Sequence, residues 1–164
     1  MSFNTADLCD EFFDKVRVLD PTFKSYGGKE KICGTIVTMR LDKNNHDLAM
    51  MLKNEEGKNQ VVVVDVAQEY YAVVGENLMR FAFDNNWAGM IINGYVRDIE
   101  QTKKFPVGLF AIGTCPRKYI PQTQGQRGIE LSFEGVVFKD GDYIYADKDG
   151  IILSSEKLKQ LSSN

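Results

Sequence analysis

Two short stretches carry residue types suited to chemistry on a small acid. Arg97-Asp98 closes the run Asn93-Gly94-Tyr95-Val96-Arg97-Asp98, directly after the apolar Met90-Ile91-Ile92. A guanidinium grips a carboxylate at two points, and a carboxylate oxygen is a hard ligand suited to Mg²⁺ or Mn²⁺. Gly75-Glu76-Asn77-Leu78 opens a helical pattern with Leu78, Phe81 and Ala82 on one face. A helix start offers unpaired N–H groups and a partial positive charge to an anion.

The rest of the composition narrows the field. His46 is the only histidine, which excludes a two-His zinc site and any mechanism that uses two imidazoles of one chain. Twenty Lys and Arg against twenty-three Asp and Glu give a net charge of −3, which argues against direct nucleic-acid or anionic-membrane binding. Cys9, Cys33 and Cys115 are odd in number and far apart, so no disulfide framework is signalled and a reducing compartment is expected. No signal-peptide pattern and no run of about 20 apolar residues is present, so a cytoplasmic protein is expected. The 164 residues suit one domain.

Elements that could position the two stretches follow from periodicity. Leu8, Phe12 and Val16 recur four apart after Asn4 and Thr5, either of which can cap a helix ending before Pro21. Ile32 to Met39 reads as a strand, Asp47 to Lys53 as a short helix, and Gln60 to Asp65 as a second strand. Val61 to Val64 is continuously apolar, as in a parallel strand covered on both faces. With the helix from Gly75-Glu76 to Asn85-Asn86 and the strand Met90 to Ile92, this makes a βαβ unit. Both candidate stretches then fall at the carboxyl edge of the sheet, where ligands gather in such folds.

The last third is rich in short strands: Leu109 to Ile112, Ile129 to Phe133, Val136 to Phe138, Tyr143 to Tyr145 and Ile151 to Leu153. Turn pairs Asp140-Gly141 and Asp149-Gly150 separate them, and 155–161 reads as a final helical turn or two. The four prolines fall between elements.

At this point the residues resemble a known family. Glu76-x20-Arg97-Asp98, with Gly75 before the Glu, is similar to the signature of the metal-dependent 4-hydroxy-4-methyl-2-oxoglutarate aldolases and the related regulators of ribonuclease activity A. Thr5-Ala-Asp-Leu-Cys-Asp10, Tyr26-Gly-Gly28, Asn86-Trp-Ala-Gly89, Gly113-Thr-Cys-Pro-Arg-Lys118 and the stretch Gly141 to Gly150 also sit where the family has similar segments. The resemblance implies an α/β fold of the three-layer, swivelling β/β/α type, as a single RraA-like domain over 1–164. It implies a pyruvate-forming lyase that uses Mg²⁺ or Mn²⁺ to stabilise an enolate, acts on small 2-oxo acids, and carries oxaloacetate decarboxylase activity. Asp98 would hold the metal, Arg97 the substrate, and the backbone of Gly75, Glu76, Asn77 and Leu78 the substrate oxygens.

The resemblance also implies a homotrimer or hexamer with sites near subunit interfaces, and as an alternative a non-catalytic regulator that binds ribonuclease E or an RNA helicase. Family members known for ribonuclease binding can lack the Asp of the pair, so Asp98 favours chemistry. One departure stands out: where the family has an Asp-Gly-Gly stretch with a basic residue, this chain has Asp65-Val66-Ala67-Gln68-Glu69-Tyr70-Tyr71.

The remaining residues read as structural. His46 beside Asn44-Asn45 suits an exposed turn or cap, Cys9 and Cys33 suit core filling, and Cys115 before Pro116 suits a loop. Asp147-Lys-Asp149-Gly150 lacks the further ligands of a calcium loop and reads as a hairpin turn. Lys103-Lys104 and Arg117-Lys118 read as solvated surface.

Overall fold

Val61, Val62, Val63 and Val64 are all fully buried, and their alternation explains the unbroken apolar run. Val62 and Val64 join a cluster with the helix residues Leu48, Met51, Leu52, Leu78 and Met79. Val61 and Val63 join a second cluster, on the other face, with Leu131, Val136 and Phe138. Successive side chains of a strand point to opposite faces, so a strand between two covering layers must be apolar throughout.

The computed structural model describes residues 2–120 and 123–159. In chain order the elements are α1 (Thr5–Glu11), β1 (Val16–Val18), β2 (Lys24–Ser25), β3 (Ile32–Arg40), α2 (His46–Asn54), β4 (Gln60–Asp65), β5 (Ala72–Val74) and α3 (Glu76–Asp84). Then follow β6 (Gly89–Val96), α4 (Ile99–Thr102), β7 (Gly108–Thr114), β8 (Gln126–Arg127), β9 (Leu131–Phe133), β10 (Val136–Phe138), β11 (Tyr143–Asp147) and β12 (Gly150–Ser154). The main sheet runs β1-β12-β11-β3-β4-β6-β7-β2, with β3, β4, β6 and β7 mutually parallel. Helices α2 and α3 cover one face and the β9–β10 hairpin the other, which gives the expected three-layer β/β/α arrangement.

Several elements depart from the sequence expectation. The first helix stops at Glu11, and Val16, expected on its apolar face, lies in β1. Val16-Arg17-Val18 completes the edge of β12 with three antiparallel pairs, a better use of two β-branched residues than another helical turn. Asn4 is the N-cap but makes no side-chain cap bond. Strand β6 runs on to Val96, through residues expected in a loop, because β5 supplies partners for Tyr95 and Val96 where β4 has ended. Neither β5 nor α4 was signalled, since three and four residues are too few to establish a period. Residues 155–159 form no helix, while Leu161 and Pro121 lie outside the described residues.

The turn expectation for Asp147 to Gly150 holds, whereas His46, expected as an exposed turn or cap, is neither exposed nor the cap, which is Asn45. Asp147-Lys-Asp149-Gly150 is the β11–β12 hairpin turn, with Asp147 paired to Gly150. His46 is half-buried at the start of α2, its N–H donating to the Asn44 side chain at 3.0 Å. Cys115 is buried, its thiol directed at the Tyr70 and Arg117 carbonyls. Among the described residues no helix is long and apolar enough to cross a membrane.

Thr5, expected as a cap, anchors α1 to the far end of the chain instead. Its hydroxyl donates to the Asp147 carboxylate at 2.6 Å and its N–H at 2.8 Å, and the Asp149 N–H donates to the same group at 2.9 Å. Burial alone would raise the Asp147 pKa, but these bonds and the charge of Lys31 outweigh it and hold the carboxyl below its ordinary value. A carboxyl depressed in the folded state adds stability at pH above its unfolded value, and that stability is lost as pH falls through the folded value. Thr5→Val is therefore expected to cost about 1–3 kcal/mol in urea unfolding at neutral pH, with the deficit shrinking below about pH 4. A deficit of equal size at both pH values would contradict this.

Candidate active site

The end of β6 and the start of α3 meet through backbone geometry. The Arg97 N–H donates to the Val74 carbonyl at 2.9 Å, which continues the β5–β6 ladder one residue past the strand. Asp98 then turns the chain in the left-handed region, with φ 59° and ψ 39°, a conformation that Asp tolerates better than most residues. Its carbonyl accepts the N–H groups of Gln101 and Thr102 and so begins α4. Its side chain does not cap α4. Instead Asp98 Oδ2 accepts the Glu76 N–H at 3.0 Å, the first amide of α3.

Gly75 makes this approach possible. A Cβ there would stand 2.6 Å from Asp98 Oδ2, closer than real Cβ atoms come, and a tight 3.3 Å from Arg97 Cγ. The contact also places a carboxylate at the positive end of a nine-residue helix.

Gly75, Glu76, Asn77, Leu78, Arg97 and Asp98, all six candidate residues, line one cleft of about 40 Å³. They do not contribute alike. The Glu76 amide is already taken by Asp98, which leaves the Asn77 and Leu78 amides as orphan donors of the first turn. The Leu78 side chain is in the core, so only its backbone serves the cleft. The Glu76 carboxylate pairs with Arg80 at 3.2 Å, a helical i,i+4 contact.

Arg97 Nη1 donates to the Pro116 carbonyl at 3.2 Å, which steadies the guanidinium and leaves most of its donors unspent. Asp98 is exposed, and its other oxygen accepts no hydrogen bond from the described residues.

Beyond Ala72, Val73 and Val74 of β5, two lining residues with polar side chains were missed. Lys118, read as solvated surface, is exposed but stands at the cleft, because the chain before it is pinned there. The Cys115 N–H donates to the Val96 carbonyl at 3.0 Å, and the Arg117 carbonyl accepts the Ala72 N–H at 2.7 Å. Asn45 reaches the cleft from the start of α2, its side-chain amide donating to the Val73 carbonyl at 2.7 Å. Only proximity in space marks these two; Lys118 ends a family-like segment, but its type and neighbours say nothing of a site.

The donor set defines what the cleft can hold. Among the described residues no three His, Cys, Asp or Glu side chains cluster as a metal cage. One carboxylate with an open oxygen, beside a cleft open to water, suits a hard cation that keeps several waters and takes one or two carboxylates plus substrate oxygens. It does not suit tetrahedral zinc.

Comparison with known proteins shows the family and the fold. The family model described as RraA-like (Aldolase/RraA) matches residues 5–153. A Laribacter hongkongensis protein named "Putative 4-hydroxy-4-methyl-2-oxoglutarate aldolase" is 38% identical over 159 residues, spanning 96% of this chain and 99% of its own. The solved structure of the RNA-processing inhibitor RraA from Thermus thermophilis matches with a TM-score of 0.92 and 34% identity over 99% of each chain. A structure described as S-adenosylmethionine:2-dimethylmenaquinone methyltransferase, from Geobacillus kaustophilus, matches with a TM-score of 0.91 and 37% identity, over 95% of this chain and 97% of its own. Three descriptions attach to one fold, so activity has to be argued from the site.

The Asp98–Glu76 contact gives a thermodynamic test. Gly75→Ala and Asp98→Ala are each expected to lower the unfolding free energy by about 1 kcal/mol, the cost of a lost helix cap. The double variant should lose little more than either single one in urea denaturation, because both remove the same interaction. Additive losses would contradict the geometry.

Proposed function

The chain belongs to the RraA-like family of aldolases and RraA proteins, and on that premise we propose that it is a divalent-metal-dependent, pyruvate-forming lyase. Its substrates on this reading are short 2-oxo dicarboxylates, 4-hydroxy-4-methyl-2-oxoglutarate and oxaloacetate. The observation that carries the reading is the convergence of Arg97, Asp98 and the start of α3 on one cleft.

Arg97, tethered at one nitrogen by Pro116, presents its remaining donors to a substrate carboxylate in the two-point manner of a guanidinium. Lys118 adds a second cation on the same cleft, so the pair matches a substrate with two acidic ends. The Asn77 and Leu78 amides, already fixed in direction by α3, stabilise negative charge on substrate oxygen without reorganising. Asp98, through its open oxygen, would hold Mg²⁺ or Mn²⁺, and a cation held there would supply Lewis-acid stabilisation of the charge that develops when the carbon–carbon bond breaks. No imidazole is needed for any of these roles.

The cleft of about 40 Å³ is too small to enclose such a substrate. A neighbouring protomer completes it on this reading, in a homotrimer or a pair of trimers. Tyr70 and Ile120, two residues from cleft-lining positions, are 64% and 77% exposed and offer apolar surface for that contact.

A second reading has one observation behind it. The Thermus thermophilis structure, 34% identical, is described as an RNA-processing inhibitor, which supports a regulator that binds ribonuclease E or a helicase partner. Chemistry remains the preferred reading, since Asp98 and its glycine have no evident use in contact inhibition.

Pyruvate release from both substrates is expected to require Mg²⁺ or Mn²⁺, to stop with chelator, and to fall about 10²–10³-fold in Arg97→Ala and Asp98→Ala. Metal-independent release unchanged in both variants would overturn the lyase, and a measurable ribonuclease E complex in its place would support the regulator. Sedimentation equilibrium should return three or six times the 18.6 kDa chain mass; a monomer would leave the cleft without its second wall.

A further inference from the structure

A second cleft, of about 480 Å³, lies at the opposite edge of the sheet, where β3 and β4 begin. It owes nothing to the lyase reading. Cys33 stands opposite Tyr145 in the β3–β11 ladder, and Thr35 opposite Tyr143. Strand alternation puts all four side chains on one face, the face on which Val37 and Met39 meet the α2–α3 layer further along β3. Over β11 and β12 that face is covered by Phe3, α1 and the segment after β12, whose Leu158 is buried. The Tyr145 hydroxyl ties that segment down: it donates to the Leu158 carbonyl at 3.2 Å and accepts the Leu158 N–H at 2.7 Å. The cleft is the stretch of sheet face left between the coverings.

Its lining is that of a small-molecule site. Phe3 and Tyr145 form an aromatic wall, edge to face with centroids 5.5 Å apart. Thr35 and Tyr143 bring hydroxyls, and Asn59 an amide, that make no hydrogen bond among the described residues. Lys157 and Lys159 line the cleft, whereas none of its described lining residues is Asp or Glu, in a chain whose net charge is −3. Burial pushes the Cys33 thiol pKa up while Lys157 and Lys29 pull it down, so positive charge is felt inside the cleft. An apolar pocket of several hundred Å³ with a few convergent polar groups and charge of one sign is the usual form of a ligand site.

We propose that this cleft binds a small aromatic carboxylate, its ring against Phe3 and Tyr145 and its charge toward Lys157 and Lys159. Titration of the ¹⁵N-labelled full chain with benzoate tests this by amide shifts. Expected are saturable shifts at Cys33, Gly34, Thr35 and residues 157–159, with a Kd of about a millimolar or tighter, as nine non-hydrogen atoms allow. Lys157→Glu with Lys159→Glu, both exposed and so harmless to folding, should weaken binding at least about tenfold. Acetate has the charge without the ring and benzylamine the ring with the opposite charge; neither should saturate these shifts. The proposal is overturned if benzoate does not saturate, if its shifts centre on Arg97, if acetate matches it, or if charge reversal has no effect.

Discussion

Burial of β4 and β6 on both faces is the constraint from which the rest of the fold follows. Val61 to Val64 feed two different cores, and Met90, Ile91 and Ile92 repeat the division on the neighbouring strand. A one-residue slip of either strand would exchange the two sets of side chains, so the register has little freedom. Fixed register fixes where the strands end. Asp65 stands opposite Asn93, the ladder passes from β4 to β5, and β6 is carried on to Val96. The carboxyl ends of the parallel strands thereby deliver Arg97 and Asp98 beside the first turn of α3.

What happens at that edge is a redirection of ordinary helix physics. An Asp at the start of a helix usually satisfies the amides of its own first turn. Asp98 satisfies the first amide of α3 instead, across a glycine, and α4 goes without a side-chain cap. One carboxylate oxygen is spent on structure and the other is left open, which holds the group in place without removing its capacity as a ligand. Arg97 follows the same logic, with one nitrogen on the Pro116 carbonyl and the rest unspent. Preorganisation of this kind lowers the reorganisation needed when charge develops on a bound substrate.

Much of this was legible from residues, and the gaps have physical causes. The valine run announces a doubly covered strand because β-branched residues favour strands and a strand with one wet face would alternate. Leu78, Phe81 and Ala82 announce α3 by their spacing, and with Glu76-x20-Arg97-Asp98 the cleft could be assembled before any coordinates. Hidden were β5 and α4, too short to show a period, and Val16, whose helical spacing lost to a strand edge needing a partner. Lys118 and Asn45 were hidden too, because long-range hydrogen bonds that sequence spacing does not encode bring them to the cleft. The stretch after Asp65 is the subtlest case. Ala67 and Gln68 adopt φ of 53° and 58°, the left-handed backbone that glycines would take freely. The loop keeps that shape because Asp65 accepts the Ala67 N–H at 2.8 Å and the Asn93 carbonyl the Gln68 N–H at 3.2 Å.

A chain with one histidine and a net negative charge first looks poor in catalytic means. On the proposed lyase reading the cleft offers others: a guanidinium, an ammonium, a half-engaged carboxylate and the open amides of a helix. Anomalous diffraction from a crystal soaked with Mn²⁺ and pyruvate tests that account most directly. The account predicts one anomalous peak within coordination distance of Asp98, with the pyruvate carboxylate on Arg97. Pyruvate bound elsewhere, or Mn²⁺ absent from Asp98 while occupying other carboxylates, would contradict it.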